Sequence, residues 1–141
     1  MNNILIIDDN LQLLEARAAV IGTQFQDCSI LTARNGVEGI AKIETMPVDL
    51  ILTDLDMPVM DGYGVISHRN KGYQQVPLFV MSGNCSPEVR EKLDGLGVSE
   101  CIEKPFFFEQ IRSKIARALN VVLTSDIKNN RPPLQPAQRT A

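Results

Sequence analysis

Short apolar runs alternate with longer stretches of helical period five times along this chain, and this rhythm constrains its fold more than any other feature. The runs lie at residues 3–7, 28–31, 50–53, 78–81 and 100–102. Most are almost continuously apolar, as is typical of strands covered on both faces. The last carries Glu100 and is followed by Glu103, which indicates an edge strand protected by charge. The alternation predicts βα units wound into a five-stranded parallel sheet, an α/β fold.

The stretches between the runs have the start and stop signals of helices. Asn10 is the predicted N-cap of the first helix, whose apolar stripe comprises Leu11, Leu14, Ala18, Ile21 and Phe25. The second helix begins near Gly36 and ends before Met46-Pro47, because a residue that precedes proline avoids the α region. Its predicted apolar face is made by Val37, Ile40 and Ala41.

Length and charge limit the classes of function. A chain of 141 residues that is 44% hydrophobic is long enough for one well-packed domain. Its net charge of -3 provides no basic field for nucleic acid, and no apolar run approaches the ~20 residues of a membrane helix. The first residues contain neither a basic segment nor a cleavage site for export. We therefore expect a cytoplasmic protein without a direct nucleic-acid or membrane partner.

The domain boundary and the cysteines give two further expectations. From Thr124 the composition shifts to Ser, Asn, Gln and Pro, so residues 124–141 are predicted to be a disordered tail after a domain at 1–123.

The three cysteines, Cys28, Cys85 and Cys101, are odd in number, widely spaced and in no CxxC pair. This pattern argues against a disulfide framework and against a zinc site.

Reactive side chains directly follow four of the five apolar runs. Because the carboxyl ends of parallel strands share one edge of the sheet, these side chains should converge there: Asp8, Asp9, Asp54, Ser82 and Lys104. Each has an ordinary alternative interpretation when taken alone: acids near a helix N-terminus, a serine cap and a solvated lysine. Asp61-Gly62 is similarly explained as a turn and Asp56 as an exposed loop acid. The coincidence of all these residues at one edge favours a functional site.

The chemistry of the set predicts Mg²⁺ binding and phosphoryl transfer. Clustered carboxylates repel one another, and a hard dication that retains several waters relieves this repulsion. A carboxylate oxygen can attack phosphorus, and the charge on the equatorial oxygens of the phosphoryl group must then be neutralised. A hydroxyl at Ser82 and an ammonium at Lys104 are suitable groups for that purpose.

The run from Asp54 to Gly62, with Asp8-Asp9, Ser82-Gly83 and Lys104-Pro105 in matching order and spacing, resembles the response-regulator receiver family of two-component signalling. The resemblance covers about residues 3–119. It implies a flavodoxin-like (βα)5 three-layer sandwich with strand order 2-1-3-4-5. It also implies a phosphoprotein that catalyses only its own phosphorylation and dephosphorylation, rather than an enzyme with a separate substrate.

The resemblance further implies a role for each site residue. Asp54 is the phosphoacceptor; Asp9, Asp54 and the backbone carbonyl of Asp56 bind Mg²⁺ directly, and Asp8 acts through a bound water. Ser82 and Lys104 bind the phosphoryl oxygens. The implied donor is a phosphohistidine on a sensor histidine kinase or a phosphotransfer protein.

Three positions bear on signalling. Cys101 stands three residues before the lysine, where the family usually has a switch aromatic, so a movement of the loop after Ser82 is expected to carry the signal instead. The expected target is a protein bound to the face of the fourth helix, fifth strand and fifth helix. Asp56 and Asn84 occupy positions that tune phosphoryl lifetime in the family. With no output domain expected in this sequence, the chain is interpreted as a stand-alone receiver.

Four alternatives compete with this interpretation. A haloacid-dehalogenase-like phosphatase uses similar residues, but its nucleophile follows the first strand and its acid pair comes last. A Rossmann nucleotide-binding module would need a GxGxxG motif after the first strand, which is missing here. The complete set of site residues disfavours a catalytically dead pseudo-receiver. The receiver part of a longer regulator stays open.

Overall fold

The computed structural model describes residues 1–121 and contains one parallel five-stranded sheet of order β2-β1-β3-β4-β5. The strands are β1 (Asn2–Ile7), β2 (Cys28–Ala33), β3 (Leu50–Asp54), β4 (Leu78–Ser82) and β5 (Glu100–Glu103). The helices are α1 (Leu11–Gln24), α2 (Gly36–Thr45), α3 (Gly62–Asn70), α4 (Pro87–Gly95) and α5 (Glu109–Leu119). None of these helices is long and apolar enough to cross a lipid bilayer. The predicted α/β class and strand order are confirmed, whereas the predicted tail at 124–141 lies outside the described residues.

Two apolar layers cover the sheet, one on each face. Alternate residues of β1 belong to different layers: Ile4 and Ile6 pack with α1 and α5, whereas Leu5 and Ile7 pack with α2, α3 and α4. Because side chains alternate across a strand, a strand buried on both faces is apolar along most of its length. This packing explains the continuous apolar runs in the sequence.

Two predicted helix faces differ from the structure. Leu11, at the start of the α1 stripe, is 49% exposed, and in α2 both Val37 and Ala41 are exposed. The buried residues of α2 include Gly39, where a β-carbon would lie 2.4 Å from Cδ1 of Ile7. The helix therefore approaches the sheet through a glycine, and a count of apolar side chains does not reveal that face.

The expectation of no disulfide was wrong. Cys85, in the loop between β4 and α4, is bonded to Cys101 on β5, and their Cα atoms are 6.2 Å apart. The two cysteines are 16 residues apart in sequence, but α4 connects adjacent strands and returns the chain to the same edge. Sequence spacing and an odd count do not detect such a pair.

Gly62 lets α3 begin directly against the end of β3. Its N–H donates to the Leu55 carbonyl at 2.8 Å, and an added β-carbon would lie 2.6 Å from the Asp54 carbonyl oxygen. Because backbone atoms cannot rotate away, Gly62→Ala is expected to destabilise the fold by roughly 1–3 kcal/mol. Urea unfolding measures this, with Gly72→Ala as the control because a β-carbon there meets no atom within 4 Å. Equal stabilities of the two variants would contradict this account of the α3 start.

Candidate functional site

Three carboxylates meet where β1 and β3 end side by side. Ile7 pairs with Thr53, so the next residues, Asp8 and Asp54, emerge together at the edge of the sheet. One carboxylate oxygen from each of Asp8, Asp9 and Asp54 lies within 4.8 Å of the other two. Asp8 and Asp54 are buried, whereas Asp9 is exposed to solvent. The cluster is therefore a set of oxygen ligands, one of them open to solvent, of the kind that suits a hard dication.

Lys104 supplies a positive charge on the other side of Asp54. Its Nζ lies 2.9 Å from Asp54 Oδ1, and its backbone N–H donates to the Ser82 carbonyl at 2.7 Å. The backbone bond continues the pairing of β4 with β5 and fixes where the lysine side chain begins. Asp54 thus lies between two acids and one cation, with its carboxylate directed at the lysine.

The pKa of the Asp54 carboxyl is raised above its ordinary value. Burial is the main cause, and the negative charge of Asp8 adds to it. Lys104 lowers this pKa through its hydrogen bond and its positive charge, and a backbone hydrogen bond from Asp56 lowers it further. These effects do not cancel the effect of burial. The ionised form of Asp54 is therefore disfavoured by the metal-free fold.

This raised pKa predicts a stability gain in Asp54→Asn at neutral and higher pH without Mg²⁺. A raised folded-state pKa means that the ionised carboxylate costs stability above that pKa, and that the cost disappears as the group is protonated at lower pH. Thermal unfolding in a chelating buffer should give the variant a higher melting temperature at pH 8 and a smaller advantage at pH 5. An advantage that grows toward pH 5 would contradict the stated cause.

Ser82 closes the loop that follows β4. Its hydroxyl oxygen accepts a hydrogen bond from the Asn84 N–H at 3.1 Å, and its O–H donates to the Asn84 carbonyl oxygen at 3.3 Å. The side chain of Asn84 accepts in turn from the N–H of Ser86, the N-cap of α4. The Ser82 hydroxyl is therefore hydrogen-bonded to its own loop, and the loop would have to rearrange before this hydroxyl could bind a new partner.

The remaining predicted positions surround this edge. The Asp56 and Asn84 side chains are exposed, and Cys101 is half-buried in β5, bonded to Cys85. Asp61 caps α3 by accepting from the Gly64 N–H at 3.1 Å. Asp61-Gly62 is therefore a helix start rather than the predicted turn, with Asp61 as the N-cap and Gly62 as the first residue of α3.

Arg17 is a site neighbour that the sequence interpretation missed. Its guanidinium pairs with Asp8 Oδ2 and lies over the Phe106 ring, 5.2 Å from the centroid. Arg17 lies two turns into α1, on the side of the helix that faces the sheet edge. The available signal was its spacing of seven residues from the N-cap Asn10, which places both on one side of the helix. The pair compensates the charge of a buried acid.

Comparison with known proteins agrees with this geometry. The profile of the response regulator receiver domain family matches residues 4–116. The chain is 30% identical over 132 residues to the probable transcriptional regulator ycf27 of Cyanidium caldarium, covering 90% of this chain and 50% of that protein. It is 28% identical over 127 residues to hybrid signal transduction histidine kinase D of Dictyostelium discoideum, covering 89% of this chain and 8% of that protein.

A solved structure extends the comparison to the fold. The chain is 27% identical to a CheY-like response regulator receiver domain protein of Methanospirillum hungatei, with a TM-score of 0.76 over 85% of this chain and 94% of that one. The chain spans about half or less of the two curated relatives described above. The similarity therefore concerns one domain of those longer proteins.

Proposed function

Because the chain belongs to the response regulator receiver domain family of two-component signalling, we propose that it accepts a phosphoryl group on Asp54 from a phosphohistidine. The donor is a sensor histidine kinase or a histidine phosphotransfer protein. The observation that carries the proposal is the Asp54 carboxylate held 2.9 Å from Lys104 beside two further acids. The receiver domain is assigned to residues 1–123 and is expected to work in the cytoplasm.

The donor set fits Mg²⁺. Carboxylate oxygens of Asp9 and Asp54 and the backbone carbonyl of Asp56 would hold the ion directly, and Asp8 would hold one of its waters. When bound, Mg²⁺ neutralises negative charge on the acids and on the incoming phosphoryl group. The pairing of Asp8 with Arg17 already reduces the charge of the cluster without using Asp9.

The transfer is assigned to residues of this chain as follows. An Asp54 oxygen attacks phosphorus, the new O–P bond forms, and the P–N bond to the donor imidazole breaks with its electron pair on nitrogen. Lys104 moves from Asp54 to a phosphoryl oxygen, and the Ser82 hydroxyl donates to another. Asp56 and Asn84 flank the phosphoryl group, where they would affect how readily water reaches it.

The signal is proposed to leave through the face of α4, β5 and α5 to a protein partner. Ser82 must release Asn84 to donate to the phosphoryl group, so the loop before α4 is the segment that changes. A phosphatase of the haloacid-dehalogenase type gains no support from the order of the strands. Two incubations with Mg²⁺ separate the two functions. With acetyl phosphate a receiver gains one phosphoryl group per chain, and with a small phosphate ester a phosphatase releases phosphate through many turnovers whereas a receiver releases none.

Asp9→Ala is expected to abolish stabilisation of the protein by Mg²⁺. In wild type, Mg²⁺ at about 100 times its dissociation constant should add about 2.7 kcal/mol to the free energy of unfolding, because only the folded chain gathers the three acids. The exposed Asp27 provides the control variant Asp27→Ala. Thermal unfolding across a Mg²⁺ titration measures the effect. An equal rise in melting temperature for wild type and Asp9→Ala would refute the metal assignment.

A further inference from the structure

The bond between Cys85 and Cys101 joins two segments that the proposed signal must move relative to each other. Cys85 lies in the loop between β4 and α4, three residues after Ser82. Cys101 lies on β5, three residues before Lys104. Their Cα separation of 6.2 Å falls inside the usual range for disulfides, so this backbone accommodates the bond. The disulfide thus links the chain segment that follows Ser82 to the strand that leads to Lys104.

Few other contacts hold the loop to β5, although Arg90 Nε of α4 donates to the Cys85 carbonyl at 2.9 Å. The Ser82 hydroxyl bonds to the Asn84 backbone on both its donor and its acceptor side, and the Cys85 N–H reaches Glu103 Oε1 at a long 3.4 Å. When the hydroxyl changes partner, a reduced loop keeps only weak attachment to β5. A covalent bond at Cys85 instead holds the loop in the arrangement in which the hydroxyl is engaged by Asn84.

The two cysteine residues differ in their exposure to solvent. Cys85 is buried, at 6% exposure, whereas Cys101 is half-buried and lines two adjoining surface grooves of about 400 and about 280 Å³. Charged side chains of both signs line these grooves, among them Arg90, Glu91 and Glu103. A small oxidant can therefore reach Cys101, and Cys85 is positioned to complete the bond.

The third cysteine provides an internal comparison. Cys28 begins β2, at the opposite edge of the sheet, and is free within residues 1–121. Burial, followed by the negative charges of Asp27 and Asp49, raises the pKa of its thiol above the ordinary value. Cys28 therefore has neither a partner nor a favourable setting for exchange.

We propose that Cys85 and Cys101 form a reversible thiol–disulfide switch that controls whether phosphorylation of Asp54 changes the face of α4, β5 and α5. The proposal rests on the function proposed above. In the oxidised chain the loop stays tied to β5 and the response of this face is weakened. In the reduced chain the loop is free to follow Ser82. A disulfide with such a regulatory role is the kind that occurs in reducing compartments.

The oxidant is a low-molecular-weight disulfide. The Cys101 thiolate attacks one of its sulfurs, which breaks that S–S bond, releases one small thiolate and leaves a mixed disulfide on Cys101. The Cys85 thiolate then attacks the Cys101 sulfur and releases the second small thiolate. The protein gives up two electrons and two protons, which appear in two molecules of small thiol. Excess small dithiol reverses both steps.

The test uses the full chain with Cys28→Ser, so that only one pair can form. The protein is oxidised with glutathione disulfide or reduced with dithiothreitol, and mass spectrometry after alkylation counts the free thiols. Mg²⁺ and beryllofluoride, a phosphoryl mimic, are then titrated while amide chemical shifts of α4 and β5 are recorded. We expect beryllofluoride to bind the oxidised form at least about 5-fold more weakly, the lower end of ordinary coupling between sites.

Two variants make the outcomes decisive. Cys85→Ser and Cys101→Ser, each in the same background, should respond to beryllofluoride equally under both treatments, and either suffices if the other fails to fold. Coupling is reciprocal, so beryllofluoride should also slow closure of the disulfide. Equal shifts and affinities for the oxidised and reduced forms would overturn the switch, as would failure of the pair to close. If the reduced protein neither binds beryllofluoride nor changes its amide chemical shifts, the proposed function itself would be overturned.

Discussion

Asp54→Asn is expected to lose all stable phosphorylation by acetyl phosphate, whereas wild type gains one phosphoryl group per chain. The asparagine keeps the size of the side chain but replaces the attacking carboxylate oxygen by an amide, which is a poor nucleophile toward phosphorus. Because the variant should be at least as stable as wild type in metal-free solution at pH 8, unfolding does not explain the loss. Intact-mass spectrometry after incubation with Mg²⁺ measures the incorporation.

The control for this experiment is Asp27→Asn, which changes an exposed acid between α1 and β2. It should be phosphorylated at the wild-type rate. Stoichiometric gain of an acid-labile phosphoryl group by Asp54→Asn would show that another residue is the acceptor.

Lys104→Ala is expected to slow phosphorylation by about 10²- to 10³-fold, the usual effect of removing one group that stabilises transition-state charge. The variant should still bind Mg²⁺, and more tightly than wild type, since a positive charge 2.9 Å from a ligand carboxylate is removed. If phosphorylation is slower while Mg²⁺ binds more tightly, Lys104 has a phosphoryl-binding role, because general damage to the site would weaken both. Rates follow from the time course of intact mass, and Mg²⁺ affinity from thermal titration.

Lys114→Ala is the matched control, because Lys114 forms an ion pair with Glu100 on the surface, away from the acid cluster. Its phosphorylation rate should equal that of wild type. Equal rates in Lys104→Ala and wild type would exclude Lys104 from the transfer step.

The sheet was predictable from sequence because strands buried on both faces are apolar along most of their length. The ends of β3 and β4 were predicted one residue short, since the polar residues Asp54 and Ser82 are still paired within the sheet. The meeting of Asp8, Asp9 and Asp54 was predictable for the same reason, as parallel strands end at one edge. The sheet order came from family resemblance rather than from the residues alone.

The features that sequence reasoning missed depend on contacts between side chains distant along the chain. Arg17 reaches Asp8 because the first turns of α1 run back over the end of β1, and its spacing of seven residues from Asn10 gave only the side of the helix, not the partner. The Cys85–Cys101 pair depends on β4 and β5 being neighbours. The predicted adjacency of these strands, combined with the position of each cysteine near a strand, was the signal that could have revealed it.

The central claim is that Asp54 receives the phosphoryl group in a Mg²⁺-dependent reaction, and locating the modified residue tests it most directly. Wild-type protein is incubated with acetyl phosphate, with and without Mg²⁺, then reduced with borohydride, which converts an acyl phosphate of aspartate into homoserine. Peptide mass spectrometry reads the position. We expect homoserine at position 54 alone, and only with Mg²⁺. Homoserine at another aspartate, or at position 54 equally without Mg²⁺, would contradict the account.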